Sequence, residues 1–429
     1  MNYFYLYAAG IVVILALYLR RHRRIHREHA AELQQSIETG MAEPPSLHPV
    51  VNASRCIGSG SCAVACPEDA LGIVNGKAVL KNAAACIGHG ACLSACPVEA
   101  ITLVFGTEKR GIDIPTISQE FETNVPGIFI AGELGGMGLI RKAAEQGRQA
   151  MDSIRKRAAA GFDLDVLIVG CGPAGLSAGL SAIHHKLRYR IIEQEESLGG
   201  SVFHYPRNKI AMTAPVHLAL IGKVKFGEVQ KEKLLEFWNG VVEKTGLQIS
   251  FRESMEGIER HNAGFVVQTS RGKYTAGSVL LAMGRRGTPR KLDVPGEETS
   301  KVVYRLVDAE QYKGQSVLVV GGGDSALEAA IAVADQPDTE VILSYRSGAF
   351  ARVKQKNRDL LAERQKTGHL KVLLNSNVKS IDVESVDIEH DGKVHSYRNN
   401  AIIVCAGGLL PTPLLQKLGI KFDTKFGSA

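Results

Sequence analysis

Hydrophobic positions occur as one long uncharged run near the start of the chain and as several short runs further along it. The long run extends from Tyr3 to Leu19. The short runs are DVLIV from Asp165, YRII from Tyr189 and SVLVV from Ser316, and they are typical of buried strands. The first and third are each followed by a glycine-rich turn and a helical pattern, which predicts an α/β fold with parallel sheets.

A basic cluster, RRHRRIHREH, follows the long run directly. The run of about 17 residues is close to the shortest helix that crosses a bilayer. A secretory signal would carry its positive charge before the run, so the sequence predicts a transmembrane anchor over residues 1–20. Residues 21–50, with Pro44, Pro45 and Pro49, are predicted to form a basic juxtamembrane segment and linker. The alternatives are a buried core helix and an interfacial anchor.

The position of the basic cluster also predicts where the protein resides. By the positive-inside rule, the chain would be a single-pass protein of the cell (inner) membrane with its catalytic body facing the cytoplasm. The net charge of +7 falls to +2 without the five arginines of the cluster, so charge does not indicate a nucleic-acid partner. With 429 residues, of which 45% are hydrophobic, the chain is globular and long enough for two or three domains.

Six of the eight cysteines belong to an internal duplication. One copy reads CIGSGSCAVACP from Cys56, and the other reads CIGHGACLSACP from Cys86, offset by 30 residues. Thiolates are soft ligands that suit iron, and glycine-rich turns can direct backbone N–H groups at cluster sulfurs. A disulfide framework, a zinc site and a degenerate module without metal are the alternatives.

The duplicated segment resembles the two-cluster bacterial ferredoxins, whose motif C-x2-C-x2-C-x3-C-P sends its fourth cysteine to the other cluster. The resemblance implies a small α+β ferredoxin-like domain over residues 51–105 with two iron–sulfur clusters. Their ligands would be Cys56, Cys62 and Cys96 for one cluster and Cys86, Cys92 and Cys66 for the other. The second ligand of the motif is replaced by Ser59 and by His89. Three thiolates suit a 3Fe-4S cluster, or a 4Fe-4S cluster whose fourth iron is labile or bound by another ligand such as His89.

A glycine turn and a later carboxylate predict a first dinucleotide site. The sequence DVLIVGCGPAG places glycines between a strand and a helix, at Gly170, Gly172 and Gly175. Such glycines let the turn close and let a pyrophosphate approach the backbone at the helix N-terminus. The next strand ends in Glu193, and a carboxylate there accepts both hydroxyls of an unphosphorylated ribose, which fits the adenosine part of FAD.

The same device recurs in SVLVVGGGDSA, with Gly321, Gly323 and Ala326. Ser344 stands at the position that corresponds to Glu193, and Arg346 and Arg352 follow it. A 2′-phosphate requires guanidinium groups in place of the acid, so NADPH is preferred to NADH. The alternative is that both arginines lie on a solvated loop.

Two such sites in one chain resemble the thioredoxin-reductase-like flavoproteins. Residues 280–298, which include Gly284, resemble the hinge strand that leaves the FAD domain, and residues 401–423 resemble the return strand. The closing FAD segment of the family stands earlier in this chain, at residues 123–151, so the reductase is predicted to be circularly permuted.

The resemblance implies further cofactor contacts and a domain order. Gly132 and Glu133 would meet the ribityl chain of the flavin, and Ala143 would lie beside its ring. The domains are predicted as residues 106–160 for the permuted C-terminal segment of the FAD domain, 161–297 for the FAD-binding domain, 298–400 for the NADPH-binding domain and 401–429 for the return strand. The predicted fold is thus α/β, with two Rossmann-like domains, the ferredoxin-like domain and one N-terminal transmembrane helix.

A missing motif decides which chemistry is expected. Thioredoxin reductases carry C-x-x-C before the NADPH strand, and Arg305 and Asp308 stand at those positions here. Cys171 and Cys405 have no neighbouring cysteine partner and are predicted to be packing residues. Dithiol exchange is therefore excluded, and the fused ferredoxin-like module offers the electrons of reduced FAD another route.

The sequence predicts a membrane-anchored FAD-dependent NAD(P)H oxidoreductase that passes electrons from NADPH through FAD to iron–sulfur clusters. The acceptor would be a redox protein or a quinone, and electron flow in the reverse direction stays open. Hydride transfer needs no protein acid or base, so no catalytic side chain is expected. Two competing hypotheses are a flavin-direct reductase of a small disulfide or quinone and a redox or iron sensor. The family resemblance also suggests a homodimer.

Overall fold

The computed structural model describes residues 2–38, 44, 47–86, 88, 90–108, 111–136, 138–157, 161–207, 209–213, 215–285, 289–350, 353–366 and 368–427. Three of the residues singled out in the sequence, Pro45, His89 and Arg352, lie outside these described residues. The chain forms two compact units. The first comprises Met1–Ile112, Ala349–Ala362 and Lys425–Ala429, and the second comprises Asp113–Gly348 and Glu363–Thr424.

The described residues form short and long helices in both units. The α-helices are α1 (Asn2–Glu38), α2 (Ser61–Val64), α3 (Ala91–Ser94), α4 (Ile140–Ile154), α5 (Pro173–His184), α6 (Lys231–Thr245), α7 (Asp324–Ala334), α8 (Gln355–Lys366) and α9 (Thr412–Lys417). Short 3-10 helices cover Ala83–Ala85, Glu133–Gly135, Gly200–Val202 and Glu310–Tyr312.

The first four strands, which lie in the first unit, have 4 residues each, whereas the strands of the second unit range from 2 to 10 residues. The earlier strands are β1 (His48–Val51), β2 (Leu71–Val74), β3 (Lys77–Leu80), β4 (Ile101–Val104), β5 (Ile112–Pro115), β6 (Ile128–Ile130), β7 (Leu164–Val169), β8 (Tyr189–Glu193), β9 (Ile210–Met212), β10 (Val216–Leu218), β11 (Gly222–Val224), β12 (Glu228–Gln230) and β13 (Ile249–Phe251). The later strands are β14 (Met255–His261), β15 (Gly264–Thr269), β16 (Gly272–Leu281), β17 (Val302–Val303), β18 (Ser316–Val320), β19 (Glu340–Ser344), β20 (Leu370–Leu373), β21 (Ser376–Ile381), β22 (Ser385–His390), β23 (Lys393–Arg398), β24 (Ala401–Val404) and β25 (Phe422–Lys425).

The first unit is built around the duplicated cysteine segment. β1 pairs with β4 and β2 pairs with β3, both antiparallel, and the single-turn helices α2 and α3 carry the middle cysteine of each copy. Each of these helices is preceded by a glycine, Gly60 or Gly90, with φ of 78°. That left-handed conformation suits glycine, so the two copies of the sequence fold alike locally.

The second half of α1 packs onto this unit. The Nδ1 atom of His29 accepts a hydrogen bond from the backbone N–H of Ile73 at 3.0 Å, and the hydroxyl of Ser36 donates to the carbonyl of Lys81 at 2.8 Å. Lys81 is buried, and its Nζ lies 2.7 Å from Glu32 and 2.8 Å from Asp69. These pairs compensate the buried ammonium, which would otherwise be costly to remove from water.

The predicted transmembrane anchor, and with it the predicted inner-membrane location, is wrong. Within the described residues, none of the helices combines the length and the apolar content that crossing a bilayer requires. The uncharged run covers only about 17 residues of α1, or about 25 Å at 1.5 Å per residue, which is less than the roughly 30 Å of hydrocarbon. Beyond Leu19 the same helix continues through the basic cluster to Glu38.

A seven-stranded sheet forms the centre of the second unit. Its order is β13-β8-β7-β16-β15-β14, and β6 also pairs with β16. The strands β6, β7, β8, β13 and the end of β16 run parallel, so their carboxyl ends meet at one edge. Because β6 precedes β7 in the chain yet lies in the same sheet, the early segment is part of this core, as the permuted order predicts.

A second parallel sheet follows in the order β17-β24-β18-β19-β20. The antiparallel sheet β21-β22-β23 interrupts the chain between β20 and β24. Buried aliphatic residues such as Leu318, Ile402 and Val404 pack with Ile388 and Val386 of β22. The architecture of the described residues is therefore mixed α/β with a small ferredoxin-like part.

Candidate functional site

The structure places the six duplicated cysteines around two separate cavities. We call the first site A; Cys56, Cys62 and Cys96 line its cavity. We call the second site B; Cys66, Cys86 and Cys92 line its cavity. Each site thus takes two cysteines from one copy and the last cysteine of the other, which is the crossed arrangement that the resemblance to ferredoxins implied.

Backbone N–H groups point at the sulfurs of both sites. Ala78 N–H donates to Cys56 at 3.4 Å, Ala70 N–H donates to Cys66 at 3.4 Å, and Ala100 N–H donates to Cys96 at 3.2 Å. Such bonds stabilise thiolates bound to iron and help to set cluster potentials. Among the described residues, no three His, Cys, Asp or Glu side chains converge to hold a single metal ion. The donor set fits iron–sulfur clusters better than a single zinc.

Three thiols of the two sites, those of Cys62, Cys86 and Cys92, hold their protons more tightly than usual. Burial is the largest cause that raises the pKa of Cys62 and of Cys86, and it raises the pKa of Cys92 to about 11. Metal binding must therefore displace these protons, as it does at other thiolate sites. Ser59 lines site A, but its hydroxyl lies 3.3 Å from that of Ser61.

The first glycine turn lies between β7 and α5 and approaches its neighbours very closely. A Cβ atom on Gly170 would lie 2.6 Å from the carbonyl oxygen of Ala282, and one on Gly175 would lie 1.9 Å from the carbonyl oxygen of Gly170. Gly172 is the N-cap of α5. Among the described residues, a Cβ atom on Gly172 would meet one heavy atom within 4 Å, the Cα of Gly200 at 3.8 Å, so this side of the turn has room for a phosphate group at the helix N-terminus.

Glu193 is buried at the end of β8 beside this turn. Its Oε2 accepts the backbone N–H of Cys171 at 2.7 Å, and its Oε1 accepts that of Glu195 at 3.0 Å. Burial is the largest influence on this carboxyl group and raises its pKa. The two backbone bonds hold the carboxylate in place and leave lone pairs for further donors, such as two ribose hydroxyls.

Four further residues singled out in the sequence lie at or beside the same edge of the sheet. Glu133 begins the 3-10 helix after β6. Gly284 follows β16, and a Cβ atom on Gly284 would lie 3.9 Å from Oε2 of Glu133. A Cβ atom on Gly132 would lie 3.6 Å from the Cβ of buried Ala143 on α4. The ends of β6, β7 and β16 therefore bring these positions together around the N-terminus of α5.

Two residues of α4 that were not predicted from the sequence also shape this edge. Gln146 accepts the backbone N–H of Gly132 through Oε1 at 2.9 Å. A Cβ atom on Gly147 would lie only 2.0 Å from the backbone carbonyl oxygen of Ala174, in the first turn of α5. A glycine in the interior of a helical pattern was the available signal, because such glycines often mark close packing.

The second glycine turn joins β18 to α7. A Cβ atom on Gly321 would lie 2.5 Å from the carbonyl oxygen of Cys405 and 3.0 Å from the Cβ of Ala326. Gly323 is the N-cap of α7 and has no heavy atom within 4 Å of such a Cβ. A Cβ atom on Gly322 would lie 2.1 Å from the ring of Tyr345, a residue that was not predicted from the sequence. The turn therefore has one open side and one side covered by an aromatic ring.

The last residue of β19 and the residues that follow it differ in their surroundings. Ser344 is buried, and its hydroxyl lies 2.8 Å from that of Ser376, which donates to the carbonyl of Leu373. Its hydroxyl is thus engaged within the protein. Arg346 is exposed two residues later, and its guanidinium group is available to an anion.

The two positions that would carry a dithiol take part in polar side-chain contacts instead. Asp308 accepts from Arg207 at 3.0 Å, and Arg305 lies against the ring of His204. The backbone N–H of Glu310, and then Arg207, hold the pKa of Asp308 below its usual range. Lys209 also contacts Glu328 of α7 at 2.7 Å. These contacts join residues 204–209 to residues 305–328.

The remaining two cysteines are poor nucleophiles. All eight cysteines lie in the described part of the chain, and each has a free thiol. Burial raises the pKa of Cys171 far above its usual range and that of Cys405 to about 12. The thiolate is the reactive form, so both residues fit a packing role.

Comparison with known proteins agrees with this geometry. Residues 167–427 match the family described as pyridine nucleotide-disulphide oxidoreductase. The chain belongs to this family. Residues 48–97 match the 4Fe-4S dicluster domain, which contains all six cysteines of sites A and B. The resemblance to thioredoxin-reductase-like flavoproteins and to ferredoxins is therefore confirmed, and FAD, NADPH and iron–sulfur clusters are the cofactors of this oxidoreductase.

Individual relatives of this pyridine nucleotide-disulphide oxidoreductase match about half of the chain. A ferredoxin–NADP reductase of Pediococcus pentosaceus is 31% identical over 237 residues, which are 53% of this chain and 67% of that protein. A ferredoxin–NADP reductase of Thermus thermophilus is 31% identical over 227 residues, or 51% of this chain and 63% of that protein.

Solved structures show the same fold at low sequence identity. A bacillithiol disulfide reductase from Staphylococcus aureus is 22% identical and has a TM-score of 0.52, covering 61% of this chain and 81% of its own. The enzyme of that name from Bacillus cereus is also 22% identical, with a TM-score of 0.51, and covers 61% of this chain and 82% of its own.

Proposed function

We propose that this oxidoreductase transfers electrons from NADPH through FAD to its own iron–sulfur clusters, and from these to a redox protein or a quinone. One observation carries the proposal: sites A and B lie in the same chain as two glycine turns, while Arg305 and Asp308 replace a dithiol. Ferredoxin–NADP reductases are among its relatives. The fused module would take the place of the ferredoxin that such a reductase meets as a separate protein.

The cofactors supply the electron chemistry, because a hydride carries two electrons, a cluster accepts one at a time and a flavin can do both. The residues of the chain bind and orient them. Glu193 would accept the adenosine ribose hydroxyls of FAD, and the turn from Gly170 would hold its pyrophosphate. Glu133 would contact the ribityl chain. Arg346 would bind the 2′-phosphate of NADPH, whose pyrophosphate would meet the turn from Gly321.

The module contributes thiolates and backbone donors. Cys56, Cys62 and Cys96 would release their protons to hold iron in site A, and the equivalent set would do so in site B. The domain boundaries at residues 50, 105, 160, 297 and 400 are proposals that rest on the motifs and the family resemblance in the sequence. A homodimer stays a prediction.

Anaerobic titration with NADPH, followed by visible spectra and low-temperature EPR, tests the proposal. We expect the flavin and then the clusters to become reduced, and we expect the clusters to stay oxidised in FAD-depleted protein. The variant Cys62→Ser/Cys92→Ser should keep flavin reduction and lose the cluster signals, whereas Cys405→Ala, a cysteine change outside the module, should keep both. If NADPH bleaches the flavin while dithionite alone reduces the clusters, the proposed relay is wrong.

A further inference from the structure

Sites A and B are related by the duplication, so their linings can be compared position by position. Corresponding positions lie 30 residues apart in the chain. Gly60 and Cys62 of site A correspond to Gly90 and Cys92 of site B, so these positions are identical in the two sites. Among the pairs in which both residues are described, one differs in charge. Glu68 lines site B, whereas its counterpart Val98 lines site A. Among the described lining residues, Glu68 is the one ionisable side chain other than cysteine.

The carboxylate of Glu68 is held close to the thiols of site B. Its side chain is only 19% exposed. It lines the cavity of site B together with Cys66, Cys86 and Cys92. The carboxylate charge therefore acts on the place where a cluster would accept an electron.

Lys354 opposes this charge from the outer side. Lys354 stands directly before α8, in a segment that belongs to the same unit as site B. Its Nζ lies 3.3 Å from Oε2 of Glu68. Lys354 is 34% exposed and does not line the cavity. The negative end of this ion pair is thus the end that faces site B.

A negative charge beside a cluster disfavours the addition of an electron, and water screens this effect weakly when the charge is mostly buried. Net charge is one of the main determinants of cluster potentials. We propose that Glu68 lowers the reduction potential of the cluster in site B and that Lys354 offsets part of this effect. An electron shared by the two clusters is thereby biased toward site A. The inference rests on the clusters of the proposed function but not on their reduction by NADPH.

Potentiometric titration with dithionite and mediators, read by EPR on the full chain, measures the two potentials without using NADPH. The variants Cys62→Ser and Cys92→Ser assign the signals to site A and site B. We expect Glu68→Gln to raise the potential of site B alone and Lys354→Met to lower it. The reciprocal change Val98→Glu should lower the potential of site A, and Glu68→Asp should retain most of the wild-type value.

Iron and sulfide content and EPR line shape serve as controls for cluster integrity. The proposal is overturned if Glu68→Gln leaves the potential of site B unchanged, if it moves both sites equally, or if Lys354→Met shifts site B in the same direction. It is also overturned if Glu68→Gln loses iron from site B while Glu68→Asp keeps it, because Glu68 would then serve as an iron ligand. Failure of NADPH to reduce the clusters would contradict the proposed function and leave these potentials measurable.

Discussion

Replacing Gly147 by alanine tests how tightly α4 must pack against α5. The added Cβ atom would lie 2.0 Å from the backbone carbonyl oxygen of Ala174, so the helices would have to separate by about 1 Å or more to restore van der Waals contact. Overpacking costs about 1–3 kcal/mol, and here the upper end applies because a backbone carbonyl cannot change rotamer. Alanine returns about 1 kcal/mol through its higher helix propensity. We expect a net loss of about 2 kcal/mol in the free energy of unfolding.

Gly240 on α6 provides a matched control. It is exposed, and a Cβ atom there would meet no heavy atom within 4 Å, so Gly240→Ala should stabilise the protein by up to about 1 kcal/mol. Urea unfolding, followed by flavin fluorescence, measures both changes. Since Ala174 lies in the first turn of α5, Gly147→Ala should also lower FAD occupancy. Equal stabilisation by the two substitutions would refute the inferred contact between α4 and α5.

Three further changes address the cofactor sites. Arg346→Ala should raise the KM for NADPH by about tenfold or more and leave the KM for NADH unchanged, because a charge-assisted hydrogen bond contributes about 1.5–3 kcal/mol; equal changes for both would contradict the assignment. Burial raises the pKa of Glu193, so the native FAD-free protein binds the carboxyl proton of Glu193 more tightly than the unfolded chain does. The free energy of unfolding should therefore fall as the pH rises from the ordinary pKa to the raised pKa. Glu193→Gln should remove that component from urea midpoints measured between about pH 4 and about pH 7, and an unchanged slope would count against it. Cys62→Ala and Cys92→Ala should each remove about half of the bound iron and abolish a different EPR signal, whereas loss of both signals in each variant would mean that the sites are not independent.

The sequence was informative where function depends on local geometry. The turns at Gly170 and Gly321 are defined by neighbouring residues, so their place between a strand and a helix follows from the motif alone. The crossed cysteine sets also follow from the duplicated spacing once the resemblance to ferredoxins is accepted. These features make up most of the mixed α/β fold and of the candidate site.

Features that depend on distant partners were not predictable in this way. In the sequence, Glu68 follows Cys66 and Pro67, and nothing distinguishes it from an ordinary charged surface residue. Only the folded chain brings it beside Cys86 and Lys354. The docking of α1 depends on His29 and Ser36, which the sequence shows only as polar residues of a helix. The anchor prediction was wrong because a terminal apolar run followed by arginines was interpreted without the continuous helix that joins them.

The early position of β6 has a consequence for how the protein is made. Ile128 and Ile130 pack with Leu415 and Ile420, and the side chain of Asn124 bonds the backbone of Gly419. At roughly 5–20 residues per second, a ribosome needs roughly 15–60 s to synthesise the stretch between these partners. β6 can pair with β16 once Leu281 has been synthesised, but the part of its core that Leu415 and Ile420 supply is still missing, and contacts so distant along the chain form slowly. Completion of the core beside β6 therefore waits for the synthesis of residues 415–420, and chaperone capture of nascent chains should concentrate on the segment around β6.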